Sequence, residues 1–243
     1  IAQLLRMGWF RPVHCKSPAA QEIRALLAGR KLLQAKLLDV ELSIRGILRG
    51  FGLKVGSVSK GRFAGRIREL VAGQAMLERV VEPMLRAREA LRAEYHALHR
   101  AMLGMVREDT TCRRLMTVPG VGALVAITFT SAIDDPGRFA RSRAVGAHFG
   151  LTPKKYQSGE TDVTGGISKV GDAMVRSALY EAANVMLTRA GRLSSLKRWA
   201  LAVAGRRGMK RAKVALARKL ASVLHRMWLD GTGFRFGKEV AAA

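Results

Sequence analysis

The chain has 243 residues, of which 49% are hydrophobic, enough for a packed core and too many for a disordered chain. Lys and Arg number 43 against 18 Asp and Glu, a formal charge of +25, so a polyanionic partner is expected, nucleic acid first and an anionic membrane surface second. No apolar run approaches the roughly 18 residues of a membrane span and no signal peptide is visible, so no membrane-embedded part or membrane partner is expected; Cys15 and Cys112 lack metal-ligand spacing, which points to a reduced, cytoplasmic setting.

The first 17 residues, IAQLLRMGWFRPVHCKS, mix apolar and basic side chains around Pro12. They read as the end of a helix followed by a strand, too short to fold alone. With no Met at position 1, a fragment is expected. Trp9 and His14 are read as structural residues rather than ligands.

Ser17-Pro18 then opens a long helix, with Ser as the capping residue and Pro at the first helical position. Its apolar positions are Ile23, Leu26, Leu27, Leu33, Leu37, Val40, Ile44 and Leu48. After a Gly/Ser/Lys linker to Gly61, a second helix carries Ile67, Leu70, Gln74, Leu77, Val81, Met84, Arg88, Leu91, Tyr95, Leu98 and Met102. The alternating steps of three and four are those of a coiled-coil seam, with Gln74 and Arg88 as polar seam positions. Such a helix would run roughly 60–70 Å, and the pair is expected to form an antiparallel hairpin used as a spacer or dimerisation arm.

The run LMTVPGVGALVAITFTSA follows. Pro-Gly-Val-Gly between two apolar helices is the pattern of a helix-hairpin-helix. Gly120 and Gly122 permit the tight turn, and their N–H groups at a helix start could hold a DNA phosphate without reading sequence. The same tetrapeptide also serves as an ordinary interhelical turn. Asp134-Asp135-Pro136-Gly137 reads as a cap and turn before a helix over 138–149; Mg²⁺ binding by the paired carboxylates is the lesser reading.

The polar, glycine-rich stretch GLTPKKYQSGETDVTGGISKVG, residues 150–171, holds the candidate chemistry. Its cations are Lys154, Lys155 and Lys169, joined by Arg176 from the helix expected over 172–187. Hydroxyls at Ser158 and Ser168 sit beside Gly159 and Gly165-Gly166. Glycines let a backbone approach phosphate oxygens closely, and the positive end of the next helix would face the loop. A hydroxyl in that setting suits phosphodiester chemistry; a basic loop that only touches DNA backbone suits it too. Beyond it, a basic stretch from Arg189 to Lys213 reads as a DNA or RNA backbone track. The last helix is expected to bury Leu216, Leu220, Val223, Leu224 and Met227 and to leave Arg218, Lys219 and Arg226 outside. The segment after Gly231 has no readable role.

In combination and in order, AQLLRMGWFRPVHCKS, PGVGALVA, RFARSRAVGAHFGLTPKKYQSG and GGISKVGDAMVRSALYEAA resemble the insertion-sequence transposases of the one-hundred-and-ten family, especially its eleven-eleven branch, across essentially the whole chain. The resemblance implies a bridge-RNA-guided serine recombinase in three parts. Residues 1–17 would be the remnant of a resolvase-like domain, residues 18–108 a coiled-coil arm, and residues 109–243 a C-terminal transposase domain with the helix-hairpin-helix and the serine loop. The fold class is thus mainly α. The resemblance places the nucleophile at Ser158, with Ser168 as runner-up; the DNA contacts expected from the residues themselves are Gly120, Gly122, Lys154, Lys155, Gly159, Lys169 and Arg176. The family's four metal-binding carboxylates would fall before Ile1. Mg²⁺ is therefore expected of the intact enzyme and no metal site of this chain alone. DNA, a guide RNA and further copies of the chain, joined through the coiled coil, are the implied partners. The alternative reading is a non-catalytic nucleic-acid-binding and dimerisation module.

Overall fold

The computed structural model describes residues 2–9, 13–189 and 191–237. Ten α-helices and one two-stranded sheet make up these residues, so the chain is mainly α. It divides into two compact units: residues 25–108, and residues 1–24 together with 109–243.

The first unit is built from α2 (Pro18–Gly50), α3 (Phe63–Val71) and α4 (Ala75–Glu108), with the start of α2 belonging to the other unit. Arg30 of α2 donates to Tyr95 Oη at 2.7 Å and to His99 Nδ1 at 3.3 Å, and Arg88 of α4 donates to Glu41 at 2.7 Å. These pairings run in opposite directions along the two helices, so they lie antiparallel. The expected single second helix is divided. Gly73 takes a left-handed φ of 81°, which glycine adopts without the Cβ penalty, and its N–H donates to Glu78 at 3.0 Å. The chain reverses there, and α3 packs Phe63, Ile67 and Val71 against Leu77, Val81 and Leu85 of α4 and Ile44 and Leu48 of α2. A bidentate pair, Arg68 to Glu82 at 2.8 and 3.0 Å, closes the outer edge. At 34 residues, α4 is about 50 Å long, shorter than expected for one continuous arm helix. Gln74 lies exposed in the break rather than on the seam. Arg88 is buried, and a buried guanidinium needs partners. It is held by Glu41, by the Lys60 carbonyl and by the Phe63 ring, 4.7 Å from the centroid.

In the second unit, α1 (Ala2–Arg6) stands at the start, and residues 13–17 are not a strand. Pro12 lies outside the described residues. The helices α5 (Thr110–Leu115) and α6 (Ala123–Ile133) are followed by a 3₁₀ turn (Pro136–Arg138) and by α7 (Ser142–His148). The helix expected over 138–149 is thus shorter, because Asp135 caps the 3₁₀ turn through the Gly137 N–H at 2.8 Å. The strands β1 (Pro153–Ser158) and β2 (Thr161–Ile167) come next, then α8 (Ala173–Thr188), α9 (Ser195–Arg207) and α10 (Met209–Asp230). α10 is the organising element and packs on α5, α7, α8 and α9. Its buried residues are Ala212, Leu216, Ala217, Leu220, Ala221, Leu224, His225 and Met227. Alanines alternating with leucines on one face let neighbouring helices approach closely, and the arginines and lysines stay on the other side. α6 is buried throughout its last eight residues, against α5 and α8.

Candidate strand-transfer site

The stretch expected as a loop is a β-hairpin. β1 and β2 pair antiparallel, with Ser158 opposite Thr161, Tyr156 opposite Val163 and Lys155 opposite Thr164. Gly159, with φ of 56°, and Glu160 form the two-residue turn, which requires a left-handed residue for the strands to close. Ser158 is therefore the last residue of an ordered strand, not part of a pliant turn. A register shift between Pro153 and Lys155 leaves Gly165 and Gly166 together opposite Lys154. Because side chains alternate along a strand, Lys154, Tyr156 and Ser158 share one face with Val163 and Thr161. Tyr156 is 62% exposed, and Ser158 and Lys154 are exposed too. Lys155 lies on the opposite face and pairs with Asp162 at 3.5 Å.

An isolated two-stranded hairpin is marginal in water, so its base must be anchored. The Ser168 N–H donates to the Thr152 carbonyl at 2.9 Å, and the Lys169 N–H to the Gly150 carbonyl at 3.1 Å. Gly150, at φ 65°, lies against the Val170 backbone so closely that any Cβ would collide with it. Arg176 reaches back from α8, and one guanidinium nitrogen donates to the carbonyls of Val170, Gly171 and Phe149 at 2.8, 3.0 and 3.3 Å. Arg176 thus binds the hairpin foot through its own chain. Ser168 lies at that foot, half-buried, a full strand away from the hairpin tip.

Asp172 caps α8, accepting from the Met174 and Val175 N–H groups at 2.7 and 3.1 Å, and meets Arg24 at 2.5 Å. Burial works to raise its pKa; the Val175 bond and Arg24 outweigh this and hold it below the ordinary value. A second carboxylate, Asp134, accepts from Ser17 Oγ at 2.6 Å, from the Ser17 N–H at 2.8 Å and lies 2.8 Å from His14 Nε2. Its pKa falls to about 2, chiefly through the Ser17 hydroxyl bond. The Lys16 ammonium donates to the Ala132 carbonyl beside it. The segment 14–17 is thereby fastened to the end of α6. No sequence signal pointed to these ties, since their partners stand more than 100 residues apart.

The Pro-Gly-Val-Gly turn joins α5 to α6. Gly120 has φ of 88°, and a Cβ there would strike the Ala182 carbonyl of α8, so glycine is required by packing. Gly122 is exposed at the N-cap of α6, and no side chain caps that helix. Of the carboxylates and histidine nearest Ser158 in sequence, Asp162 meets Lys155 and His148 meets Arg138 at 3.1 Å, whereas Glu160 lies exposed in the turn without a hydrogen bond to the Ser158 hydroxyl. Burial, then Arg138, lowers the His148 pKa. Among the described residues, no hydrogen bond to the Ser158 hydroxyl is present, and no group of three or more His, Cys, Asp or Glu side chains could hold a metal ion. No helix among them is long and apolar enough to cross a membrane.

Residues 112–200, which include the Pro-Gly-Val-Gly turn, the hairpin and α8, match the model of a transposase family. The family is that of the IS116/IS110/IS902 transposases, and the chain belongs to it. It is similar to the transposase for insertion sequence element IS1111A of Coxiella burnetii, with 31% identity over 98% of this chain and 66% of that protein. It is also similar to the putative transposase y4pF/y4sB of Sinorhizobium fredii, with 28% identity over 89% of this chain and 57% of that one. A probable family 20 transposase of Pseudomonas aeruginosa is 26% identical over 93% of the chain and 69% of its own length. The chain spans less than two thirds of the length of the first two of these relatives.

Proposed function

We propose that this chain supplies the DNA-binding and strand-transfer part of an insertion-sequence transposase, with Ser158 as nucleophile. The observation that carries the reading is the hairpin itself. It presents a hydroxyl at its tip, on the same face as an unpaired lysine and an exposed tyrosine, from a base locked by two backbone hydrogen bonds, the close approach of Gly150 to Val170, and Arg176. A nucleophile on an ordered element is positioned at lower entropic cost than one on a loose loop.

In the proposed step the Ser158 Oγ attacks a DNA phosphorus, forming an O–P bond as the bond from phosphorus to the 3′ oxygen breaks. The serine proton passes to water and the 3′ oxygen takes a proton from water. The products are a 5′-phosphoseryl linkage and a free 3′ hydroxyl, which reverse by the same path to rejoin strands. A neutral serine needs activation, and the Mg²⁺ implied by the family does not fit the described residues. Asp134 and Asp135, whose adjacent carboxylates could offer it ligands, are engaged as a tether and a cap, and no group of three or more His, Cys, Asp or Glu side chains among the described residues could hold it. This chain's own contribution is electrostatic. Lys154 offsets charge on the phosphoryl oxygens, Lys169 at the foot meets the DNA backbone a strand's length from the tip, and the uncapped N–H groups at Gly122 and the turn at Gly120 hold another phosphate. Lys155 is partly neutralised by Asp162 and contributes less; Gly159 lets the DNA backbone approach the tip. Arg176 acts by holding the hairpin foot. A guide RNA and self-association through the helices of residues 25–108 complete the proposed assembly.

The second reading, a binding and dimerisation module without chemistry, is favoured by one observation: Ser158 has no base beside it. Ser158→Ala in the complete gene product separates the two. The serine reading expects unchanged DNA affinity and loss of strand exchange, with Ser168→Ala retaining exchange. Exchange at the original rate in Ser158→Ala would leave only the binding module.

A further inference from the structure

A cavity of about 1010 Å³ lies within the second unit, between α9, α10 and the C-terminal segment, with Arg143 of α7 and Thr152 at one side. Its wall carries Arg143, Arg218, Lys219, Arg226 and Arg235, against a single carboxylate, Asp230. Asp230 is already engaged by Arg226 at 2.7 Å. No ion pair involves the other four cations among the described residues. Four uncompensated cations facing one concavity repel one another, which is tolerated where a polyanion offsets the repulsion.

Trp199 opens onto the same cavity, half-buried, and the Lys219 ammonium rests 4.0 Å from its ring centroid. That contact holds the lysine on the wall in one place without neutralising it. The far wall is the segment after α10, which had no role legible in the sequence. It is fixed by the Phe234 N–H donating to Thr117 Oγ1 at 2.8 Å and by the Ser195 N–H donating to the Phe236 carbonyl at 3.2 Å. Arg235 is thereby held on the rim.

We infer that this groove binds an unpaired nucleic-acid strand of a few nucleotides. Its phosphates would lie along Arg143, Arg218, Lys219 and Arg235, and one base would pack against the edge of Trp199, beside the Lys219 ammonium that covers the ring face. The volume is on the scale of the largest small-molecule clefts, roughly 1,000 Å³. That admits a flexible strand and excludes a duplex, whose paired bases cannot reach an aromatic side chain set inside a cleft. Cationic walls joined to an aromatic platform are the general chemistry of single-strand binding. Thr152, which lines the groove, immediately precedes β1, so a strand leaving the groove passes to the foot of the serine hairpin. The inference rests on the transposase reading for its purpose, supplying an unpaired strand to Ser158, while binding itself is independent of that residue.

The test is fluorescence anisotropy of the full chain with labelled oligo(dT) and oligo(U) of about 12 nucleotides and a duplex of equal length. Single strands are expected to lose roughly tenfold or more in affinity on Lys219→Glu and on Arg235→Glu, and the duplex roughly threefold or less. Trp199→Leu is expected to weaken the oligonucleotides and to leave inorganic polyphosphate competition unchanged. Whichever oligonucleotide binds tighter identifies the sugar, DNA or RNA, and Ser158→Ala binds as the unaltered chain does. Equal losses for duplex and single strand, or single-strand affinity within about twofold in both charge variants with far-UV circular dichroism unchanged, would overturn the assignment. Loss of exchange in Ser158→Ala alongside a silent groove would dismiss the groove and spare the serine.

Discussion

Asp172 stands at the junction of the hairpin foot, the start of α8 and the incoming helix α2, and its removal has a calculable cost. One carboxylate oxygen accepts two N–H groups of the first turn of α8, and the other meets Arg24 at 2.5 Å, with the two side chains 15% and 33% exposed. Loss of an N-cap costs about 1 kcal/mol. An ion pair with one partly exposed member adds up to about 1 kcal/mol after allowance for solvent screening. Asp172→Ala should therefore destabilise the unit by about 2 kcal/mol, a fall in midpoint temperature of roughly 4–8 °C. Asp172→Asn keeps a capping oxygen and gives up the charge, and should cost about half as much. Arg24→Met should match Asp172→Asn, and the two together should cost little more than either, because they remove the same interaction. Urea unfolding followed by tryptophan emission reports on this unit, which contains Trp9, Trp199 and Trp228. Equal losses from Asp172→Asn and Asp172→Ala, or full additivity of Asp172→Asn with Arg24→Met, would refute the division into cap and ion pair.

Asp134 titrates well below the ordinary carboxylate range, at about 2 against 3.8, so its contribution is complete above about pH 4 and is lost as pH falls through 2. Discounted for its access to water, it amounts to about 1 kcal/mol. The stability gap between the unaltered chain and Asp134→Asn should shrink from about pH 5 to about pH 2 in denaturant titrations; a gap of constant size contradicts the tether. The Cys112 thiol is buried and pushed up to about 12, mainly by burial, whereas Cys15 is exposed. A maleimide should label one thiol in the native protein and both in urea, and rapid double labelling without denaturant would show the Cys112 site to be open. Gly120→Ala must adopt a left-handed φ and displace the Ala182 carbonyl, and should cost about 3 kcal/mol, whereas Gly122→Ala, with open space around it, should cost no more than about 1 kcal/mol. Thermal midpoints check both, and equal values would mean that the turn does not pack on α8 as described.

The parts of the fold legible in the sequence are those with a strong helical period. Leu216, Leu220, Leu224 and Met227 lie buried where their spacing put them, as do Val175, Leu179 and Met186 of α8. The break at Gly73 was hidden, because Leu70, Gln74 and Leu77 keep the steps of four and three straight through it. Only a backbone reversal at a glycine separates the two helices. Arg88, read as a polar residue on an apolar face, is polar and buried, but its partner Glu41 could not be named from spacing. The hairpin is illegible for the opposite reason. Its residues are exposed on both faces, so KKYQSGETDVT carries no apolar alternation to mark strands. Its two-residue turn at Gly159-Glu160 was the available signal. The ties of Asp134 to Ser17 and of Asp172 to Arg24 join points far apart in sequence, and capping chemistry alone does not reveal them. The groove wall after Gly231 is set by two backbone bonds whose partners, Thr117 and Ser195, no local pattern specifies.

The central claim is that one hydroxyl at the tip of an exposed hairpin becomes bonded to DNA. Incubating the complete gene product with its donor DNA, quenching in denaturant and digesting both polymers should release a peptide spanning Ser158 that carries a nucleotide through a 5′ phosphate. Peptide sequencing by mass spectrometry should fix the linkage on Ser158, and Ser158→Ala should yield none. A nucleotide joined to any other residue, or strand exchange that proceeds with no protein–DNA bond at any time, would contradict the account.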